Sequence, residues 1–424
     1  MKIIQFITLL FITFGAAKSQ DTTKILFLGN SFTYYNNMPD IVKGLADSAG
    51  INTEITMYAP GGMYVYTTTS MTGHDSSATT ESYIISENWD FIVVQDNQGG
   101  YVWSEGYINP MITNANVVLF NKIKNNNQCT RVIYFAGWAM EGGLPSEYWN
   151  SGGLNLTSDN TADCIKRIYR QFLYVNNTFF NEIVTPIGLA WITCLNEQPA
   201  INLFSGDGVH PSLSGSYLTA STIFTTIFKT DPTNLAFDYG LDAVTAQYLR
   251  TTGYNTVITD TVFTACNLDD FTPVTVFNPY EISTTETYSS YQWVLNNVSI
   301  PGATDDHLLI ETAGNYNLIV TDTAGCKHRS FDMYCEPEFS DIQFPAEAEF
   351  ELFPNPANDY VIVRVPPGES TIISLYNSNG MLCMRTKTVE NYRLNLSGYS
   401  PGIYFVGINN TSMNLLKKFF VEKK

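Results

Sequence analysis

KILFLGNSFT, residues 24–33, is a short apolar run that halts at Gly29 and turns polar at Asn30 and Ser31. Apolar residues in unbroken succession, instead of alternating with polar ones, mark a strand buried on both faces. Four more runs follow: EITMYA (residues 54–59), FIVVQ (91–95), RVIYFA (131–136) and IVTPIGLAW (183–191). Pro186 lies inside the last, which makes that strand irregular or places it at a sheet edge. Helical stretches at 38–48, 109–125 and 159–175 separate the runs. Strands alternating with helices of this length predict βαβ units and a parallel, doubly wound sheet, hence an α/β domain over residues 20–250.

The helical pattern stops near residue 256. From there to 335, TVFTAC, YQWVLNN, HLLIE and NYNLIVTD alternate apolar and polar residues between Gly, Pro, Asn and Asp, which predicts a small β-sandwich with Trp293 in its core. Cys266 and Cys326 are candidates to bridge its sheets, with Cys335 the competing partner. Residues 336–349 are rich in proline and acid and read as a linker. A second all-β module fills 350–424, with turn signals at 354–358, 377–380 and 400–402.

Composition narrows the function. Of 424 residues, 44% are hydrophobic and 14% aromatic, too many for a disordered chain. The 22 Lys and Arg against 40 Asp and Glu leave a net charge of −18, which disfavours nucleic acid and anionic membrane surfaces as partners. Lys2, an apolar stretch at residues 3–14 and small residues at 15–17 read as a signal peptide over residues 1–19, cleaved after Ser19 or after Ala17. No later window is long and apolar enough to span a bilayer. The four histidines are scattered and no His/Cys group has metal-ligand spacing, so neither a metal nor a cofactor is expected.

Two segments carry chemistry. Ser31 follows a parallel strand and opens a helix, where its hydroxyl is exposed and the helix N-terminus lends positive partial charge. GDGVHPSLSGSYLTA, residues 206–220, sets Asp207 three residues before His210 in a Gly/Pro loop ahead of a helix. That spacing lets a carboxylate hold one imidazole nitrogen while the other faces outward, which is what an unactivated serine needs. Between them, Gly61 and Gly62 allow close backbone approach to a developing oxyanion, and one of the side-chain amides of the Gln95–Gln98 segment can supply another donor.

On these residues, 24–230 resemble the SGNH/GDSL hydrolases: LGNSFT the first block, Gly61-Gly62 the second, QDN the third and DGVHPS the fifth. The resemblance implies a three-layer α/β/α, flavodoxin-like fold with Ser31 as nucleophile, His210 as base and Asp207 orienting it. The oxyanion donors it implies are Ser31, Gly62 and Gln95, with Gly61 and Asn97 as alternatives. Asn30 stands where the family usually has aspartate, and the third block lacks GxND; both are features of an uncharacterised GNSFT branch. FELFPNPANDYVIV, GIYFV and the basic end NLLKKFFVEKK resemble the C-terminal sorting domain of the type IX secretion system of Bacteroidota. That implies a partner in the secretion machinery and export through the periplasm and across the outer membrane, to the surface or the medium. The middle module resembles Ig-like or PKD-like repeats.

The expectation is a secreted serine esterase acting on O-acyl, chiefly O-acetyl, esters through an acyl-enzyme. Aromatic residues near the expected rim (Tyr34, Tyr35, Tyr64, Tyr66, Trp103, Trp138) point to an acylated glycan. The competing readings are an inactive surface binding protein or adhesin and a lipase or thioesterase; no long apolar lid favours the latter.

Overall fold

The computed structural model describes residues 22–101, 110–143, 160–259, 281–284, 286–335, 350–365, 368, 371–377, 382–409 and 414–422. The signal-peptide reading, Trp103, TVFTAC and the linker lie outside them. The chain divides into two units, residues 1–267 and 268–424.

In the first unit, Ile25, Leu26, Phe27 and Leu28 of β1 (Thr23–Leu28) have no solvent exposure. Consecutive strand residues point to opposite faces, so burial of all four means that both faces of the sheet are covered. β2 (Thr53–Tyr58), β3 (Phe91–Val94), β4 (Arg131–Phe135) and β5 (Ile183–Thr185) complete a five-stranded parallel sheet in the order β2-β1-β3-β4-β5. This is the flavodoxin-like, three-layer α/β/α arrangement, and the strand order reverses between β1 and β3. Ligand sites in such sheets lie beyond the carboxyl ends of those two strands.

The helices are α1 (Ser31–Tyr34), α2 (Met38–Ser48), α3 (Ala78–Ile85), α4 (Pro110–Asn126), α5 (Thr161–Phe179), α6 (Ile187–Glu197), α7 (Leu213–Phe228) and α8 (Ala243–Thr259). α2 starts with proline in its first turn, where the missing N–H has no helical partner to lose. α5 turns Cys164, Ile165, Ile168, Phe172 and Val175 inward at helical spacing, while α7 is buried on nearly every side.

Two sequence expectations need correction here. IVTPIGLAW is not one strand: β5 ends at Thr185, at the sheet edge, and the remainder begins α6 with Pro186 as its N-cap. Proline lacks the N–H a strand would use but suits a helix start. The boundary at 250 falls inside α8, which continues to Thr259. α3 was not visible in the sequence, because it buries only Thr80 and Ile84.

The second unit is antiparallel throughout its sheets. Its middle module pairs β7 (Ser290–Leu295) with β8 (Val298–Ser299) and β10 (Gly314–Thr321), β10 with β11 (Lys327–Arg329) and β12 (Met333–Cys335), and β6 (Glu281–Ser283) with β9 (His307–Leu309). Trp293 is fully buried there, among Ile282, Tyr316, Leu318 and Val320. Cys326 is in a disulfide and Cys335 is a free thiol, which removes Cys335 as its partner; Cys266 lies outside the described residues. The C-terminal module stacks a three-stranded sheet, β13 (Glu351–Phe353), β14 (Tyr360–Arg364) and β17 (Tyr392–Asn395), on a four-stranded one. The latter runs β16 (Leu382–Thr388), β15 (Thr371–Asn377), β18 (Gly402–Asn409), β19 (Asn414–Val421), and Val361, Leu394, Ile373 and Val406 share the core. Both modules are small β-sandwiches.

Candidate active site

The turn after β1 is held from three directions. Asn30 caps α1, its Oδ1 accepting from the Phe32 N–H at 3.1 Å while its Nδ2 donates to the Met63 carbonyl at 2.9 Å. The Asn30 N–H donates to Gln95 Oε1 at 2.9 Å, and the Thr33 hydroxyl donates to the same oxygen at 3.1 Å. The donation to Met63 explains why asparagine stands here: an ionised aspartate would set a carboxylate oxygen against a carbonyl oxygen. Gly29 must be glycine for room, since a Cβ there would lie 2.2 Å from Thr33 Oγ1 and 2.8 Å from Gln95 Oε1. Ser31 thus enters α1 on a fixed backbone.

The imidazole arrives on a loop that folds on its own carboxylate. Asp207 Oδ1 accepts from the Ser205 hydroxyl at 2.6 Å and from the Val209 and His210 N–H groups at 2.9 Å each. Its other oxygen accepts from His210 Nδ1 at 2.6 Å. The Ser205 and His210 hydrogen bonds hold the Asp207 carboxyl well below the usual carboxylate range, so it is ionised through the acidic range. Gly208 takes a left-handed φ of 67° to close the turn, and its carbonyl accepts from the Glu141 N–H at 2.8 Å. Trp138 Nε1 donates to the Val209 carbonyl at 2.9 Å, so the segment after β4 braces the loop. With Nδ1–H turned to Asp207, Nε2 carries the lone pair, and it lies 2.9 Å from Ser31 Oγ. Ser31, His210 and Asp207 therefore stand in a continuous hydrogen-bonded line, 179 residues apart in sequence at the Ser–His step.

The residues expected around an oxyanion divide into two groups. The N–H groups of Ser31, Gly61 and Gly62 make no hydrogen bond among the described residues. Gly61 and Gly62 are exposed in a turn closed by the Met63 N–H on the Pro60 carbonyl at 3.1 Å, and Gly62 has φ 72°. Gln95 does not meet the expectation of a donor facing substrate. It has no solvent exposure, its oxygen serves Asn30 and Thr33, and its nitrogen donates to the Asp96 carbonyl at 2.5 Å. Gln95 braces the turn that carries Ser31 from behind. Asn97 is half-buried, with Nδ2 3.4 Å from the Tyr66 hydroxyl, and is the amide left near the rim.

Three residues beneath the site went unassigned in the sequence. Fully buried Asp96 accepts from the N–H groups of Val65 and Asn97 at 2.8 Å each and from the Tyr101 hydroxyl at 3.0 Å, tying the Gly61–Gly62 loop to the third segment. Burial pushes its carboxyl up. Asn36 Nδ2 donates to the Pro211 carbonyl at 3.1 Å and to Ser216 Oγ at 2.9 Å, joining the Ser31 segment to the His210 loop. His74, wholly buried, donates from Nε2 to the Gly29 carbonyl at 3.0 Å, and its Nδ1 accepts from the Thr80 hydroxyl at 2.9 Å.

Burial holds the His74 pKa down at about 4, against 6.5 for a free side chain. Between those values the unfolded chain binds a proton that the folded one refuses, so stability falls as pH drops through this window. The loss approaches on the order of 3 kcal/mol for a shift of that size. Asp207 acts in the same direction, but only as pH enters and passes below the carboxylate range. Urea unfolding at pH 7 and at pH 4.5 should show this destabilisation in the natural chain and a clearly smaller one in His74→Gln. Equal pH dependence in the two would exclude His74 as its source.

Of the aromatic residues, Trp138 and Tyr66 are core, with Trp138 stacked on Trp191 at 4.3 Å. Tyr34 is 37% exposed, and its hydroxyl lies 3.4 Å from where a Gly61 Cβ would stand. Tyr35 faces the His210 ring.

Among known proteins, the chain is similar in structure to a DUF4886 family protein from Bacteroides uniformis, with TM-score 0.44 and 19% identity over 56% of this chain and 96% of that one. It is similar to a carbohydrate esterase family 3 protein from Talaromyces cellulolyticus, TM-score 0.33, 12% identity, covering 49% and 97%. Est24, a carbohydrate acetylesterase from Sinorhizobium meliloti, gives TM-score 0.33 and 11% identity over 49% and 98%. A stretch of 77 residues is 35% identical to Beta-agarase A of Zobellia galactanivorans; it makes up 18% of this chain and spans only 14% of that protein. Among the described residues no helix is long and apolar enough to cross a membrane. Residues 351–422 match the family described as Secretion system C-terminal sorting domain, so the chain carries the mark of proteins exported to the cell surface or the medium.

Proposed function

We propose that the first domain is a serine esterase that hydrolyses O-acyl esters, chiefly O-acetyl esters of an extracellular glycan, through an acyl-enzyme. The observation that carries this is the Ser31–His210–Asp207 line, 2.9 Å and 2.6 Å at its two steps, standing where the strand order reverses. As Ser31 Oγ bonds to the ester carbon, its proton passes to His210 Nε2. The carbonyl oxygen becomes an oxyanion beside the unpaired N–H groups of Ser31 and Gly62, with Gly61 and the Asn97 amide next in the same rim. The imidazolium then protonates the leaving alcohol oxygen, the C–O bond breaks, and the acyl group stays on Ser31. Water, deprotonated by the same His210, attacks the acyl carbon and frees the carboxylic acid and the serine. Asp207 remains ionised throughout and offsets the imidazolium charge. An inactive adhesin would have no use for this aligned set.

The glycan reading rests on exposed Tyr34 beside the Gly61 turn, because a flat aromatic face suits the apolar face of a sugar, and on export of the chain. In the same reading, residues 350–424 are the part that the type IX machinery engages. A fluorophosphonate probe tests the chemistry directly. It should add one adduct, mapped by mass spectrometry to the peptide that contains Ser31, and abolish hydrolysis of p-nitrophenyl acetate. Undiminished hydrolysis with the adduct in place, or an adduct elsewhere, would overturn the assignment.

A further inference from the structure

The chain does something unusual immediately after the nucleophile. α1 lasts one turn, and Tyr35 leaves it in an extended conformation with φ −55° and ψ 135°. Asn36 and Asn37 then both adopt left-handed backbone, φ 54° and 51°, before α2 starts at Met38. Two successive non-glycine residues in that region are costly, and asparagine is among the few that tolerate it. The kink is held by side chains: the Ser216 hydroxyl donates to the Tyr35 carbonyl at 3.3 Å, and Asn36 donates to Ser216 and to the Pro211 carbonyl.

Its consequence is the seat of one ring. Tyr35 lies flat on the His210 imidazole, with centroids 4.2 Å apart and planes within 11°. Phe32 meets the same imidazole edge-on at 5.7 Å and is itself stacked on Trp138 at 4.9 Å. The base is therefore covered on one face by Tyr35 and flanked by Phe32, and it cannot turn about its side-chain bonds without breaking the stack.

We infer that Tyr35 is a positioning residue for the base: its ring holds the His210 plane in line with Ser31 and stabilises the imidazolium that forms when Ser31 gives up its proton. The inference rests on the esterase reading. The neutral imidazole gains only packing from the aromatic face, whereas the cation gains attraction to the ring quadrupole as well. An interaction that strengthens on the way to the transition state raises kcat more than it changes KM. One element of seven residues, 31–37, thus supplies the nucleophile, the cover of the base and the pin of the loop behind it.

Tyr35→Leu in the full chain should lower kcat about tenfold with KM little changed, and should move the acidic limb of the kcat/KM profile down by about half a pH unit or more. The limb moves down because a less stabilised imidazolium releases its proton more readily. Tyr35→Phe keeps the ring and should stay within about threefold of the natural rate. Among the described residues, the titratable groups against this imidazole and its loop are Asp207, Tyr35 and Glu141, the last with a carboxylate oxygen 3.3 Å from where a Gly208 Cβ would stand. The phenylalanine variant removes only the phenol among them. A purely structural role for Tyr35 would depress the rate at every pH and leave the limb in place.

A second measurement needs no substrate. The His210 Cε1 proton, assigned by its absence in a variant without that histidine, should be shifted upfield by the Tyr35 ring current. It should return downfield in Tyr35→Leu and not in Tyr35→Phe. An unmoved limb, a phenylalanine variant as damaged as the leucine one, or an unmoved resonance in Tyr35→Leu would each overturn the inference. Failure of the natural chain to cleave any ester, with the resonance behaving as described, would instead sink the esterase reading and with it the catalytic use of the stack.

Discussion

Ser31→Ala is expected to lower kcat for acetyl-ester hydrolysis by about 10⁵-fold or more while leaving the fold intact. The size follows from what the hydroxyl does. Without Oγ no acyl-enzyme forms, and the single difficult attack of water on the ester must replace two easier steps. What remains is the acceleration that the N–H groups of Ser31 and Gly62 give to direct hydrolysis, about 10³- to 10⁴-fold over water in comparable triads. The substitution is mild structurally. Asn30 still caps α1 and still bonds Met63, and Gln95 still braces the turn, because none of these contacts uses the Ser31 side chain. Alanine is also the best helix former, which suits a first helical position. The assay is kcat with p-nitrophenyl acetate and with an acetylated xylan, beside circular dichroism and Tm. A variant with undiminished turnover would remove Ser31 as nucleophile; one that is merely unfolded would show it in the Tm.

The sheet was legible because four of its five strands are buried across both faces and so appear as apolar runs. IVTPIGLAW misled for the same reason. β5 and α6 are both buried and follow each other with only Pro186 between, and periodicity cannot separate two apolar elements that touch end to end. Length was the available signal: nine apolar-rich residues with a proline in fourth place suit a short strand and a helix start better than one long strand.

The hydrogen-bonded line from Ser31 through His210 to Asp207 was legible because each of its parts follows a local rule, a serine past a strand end and a carboxylate three residues before an imidazole. The third segment was not. Gln95, Asp96 and Asn97 are consecutive polar residues at the end of β3, and sequence alone does not say which of them points outward. The structure gives Gln95 to the turn beneath Ser31, buries Asp96 under the rim and leaves Asn97 at it. The family resemblance points to Gln95, whose amide oxygen and nitrogen are both taken by the turn beneath Ser31 and by the Asp96 carbonyl. Tyr35 was read as a surface for sugar for a related reason: its ring direction depends on the left-handed pair Asn36 and Asn37, which no hydrophobic pattern encodes. The hint was the Asn-Asn pair just before Met-Pro, residue types that end one helix and begin another.

His210→Ala should bring turnover nearly as low as Ser31→Ala, by about 10⁵-fold, and the double variant should be scarcely slower than either single one. The two side chains act as a unit: the hydroxyl is a nucleophile only while Nε2 can take its proton, and Nε2 has no other partner in this line. Removing the second after the first has failed costs almost nothing, so the logarithms of the rate losses do not add. If they did add, Ser31 and His210 would be acting independently, and the acyl-enzyme route would be wrong even with both residues essential. The vacated site supplies a further check. Alanine leaves a space walled by Tyr35 on one face and open to solvent on the other side of a still ionised Asp207. Imidazole added to the buffer can occupy it with one nitrogen on the carboxylate and the other toward Ser31, and should restore part of the lost rate with saturation. The same additive should do nothing for Ser31→Ala, where the base is present and the nucleophile is missing. Rescue of both variants alike would mean that free imidazole cleaves the ester by itself, whereas rescue of His210→Ala alone assigns the proton transfer to that position.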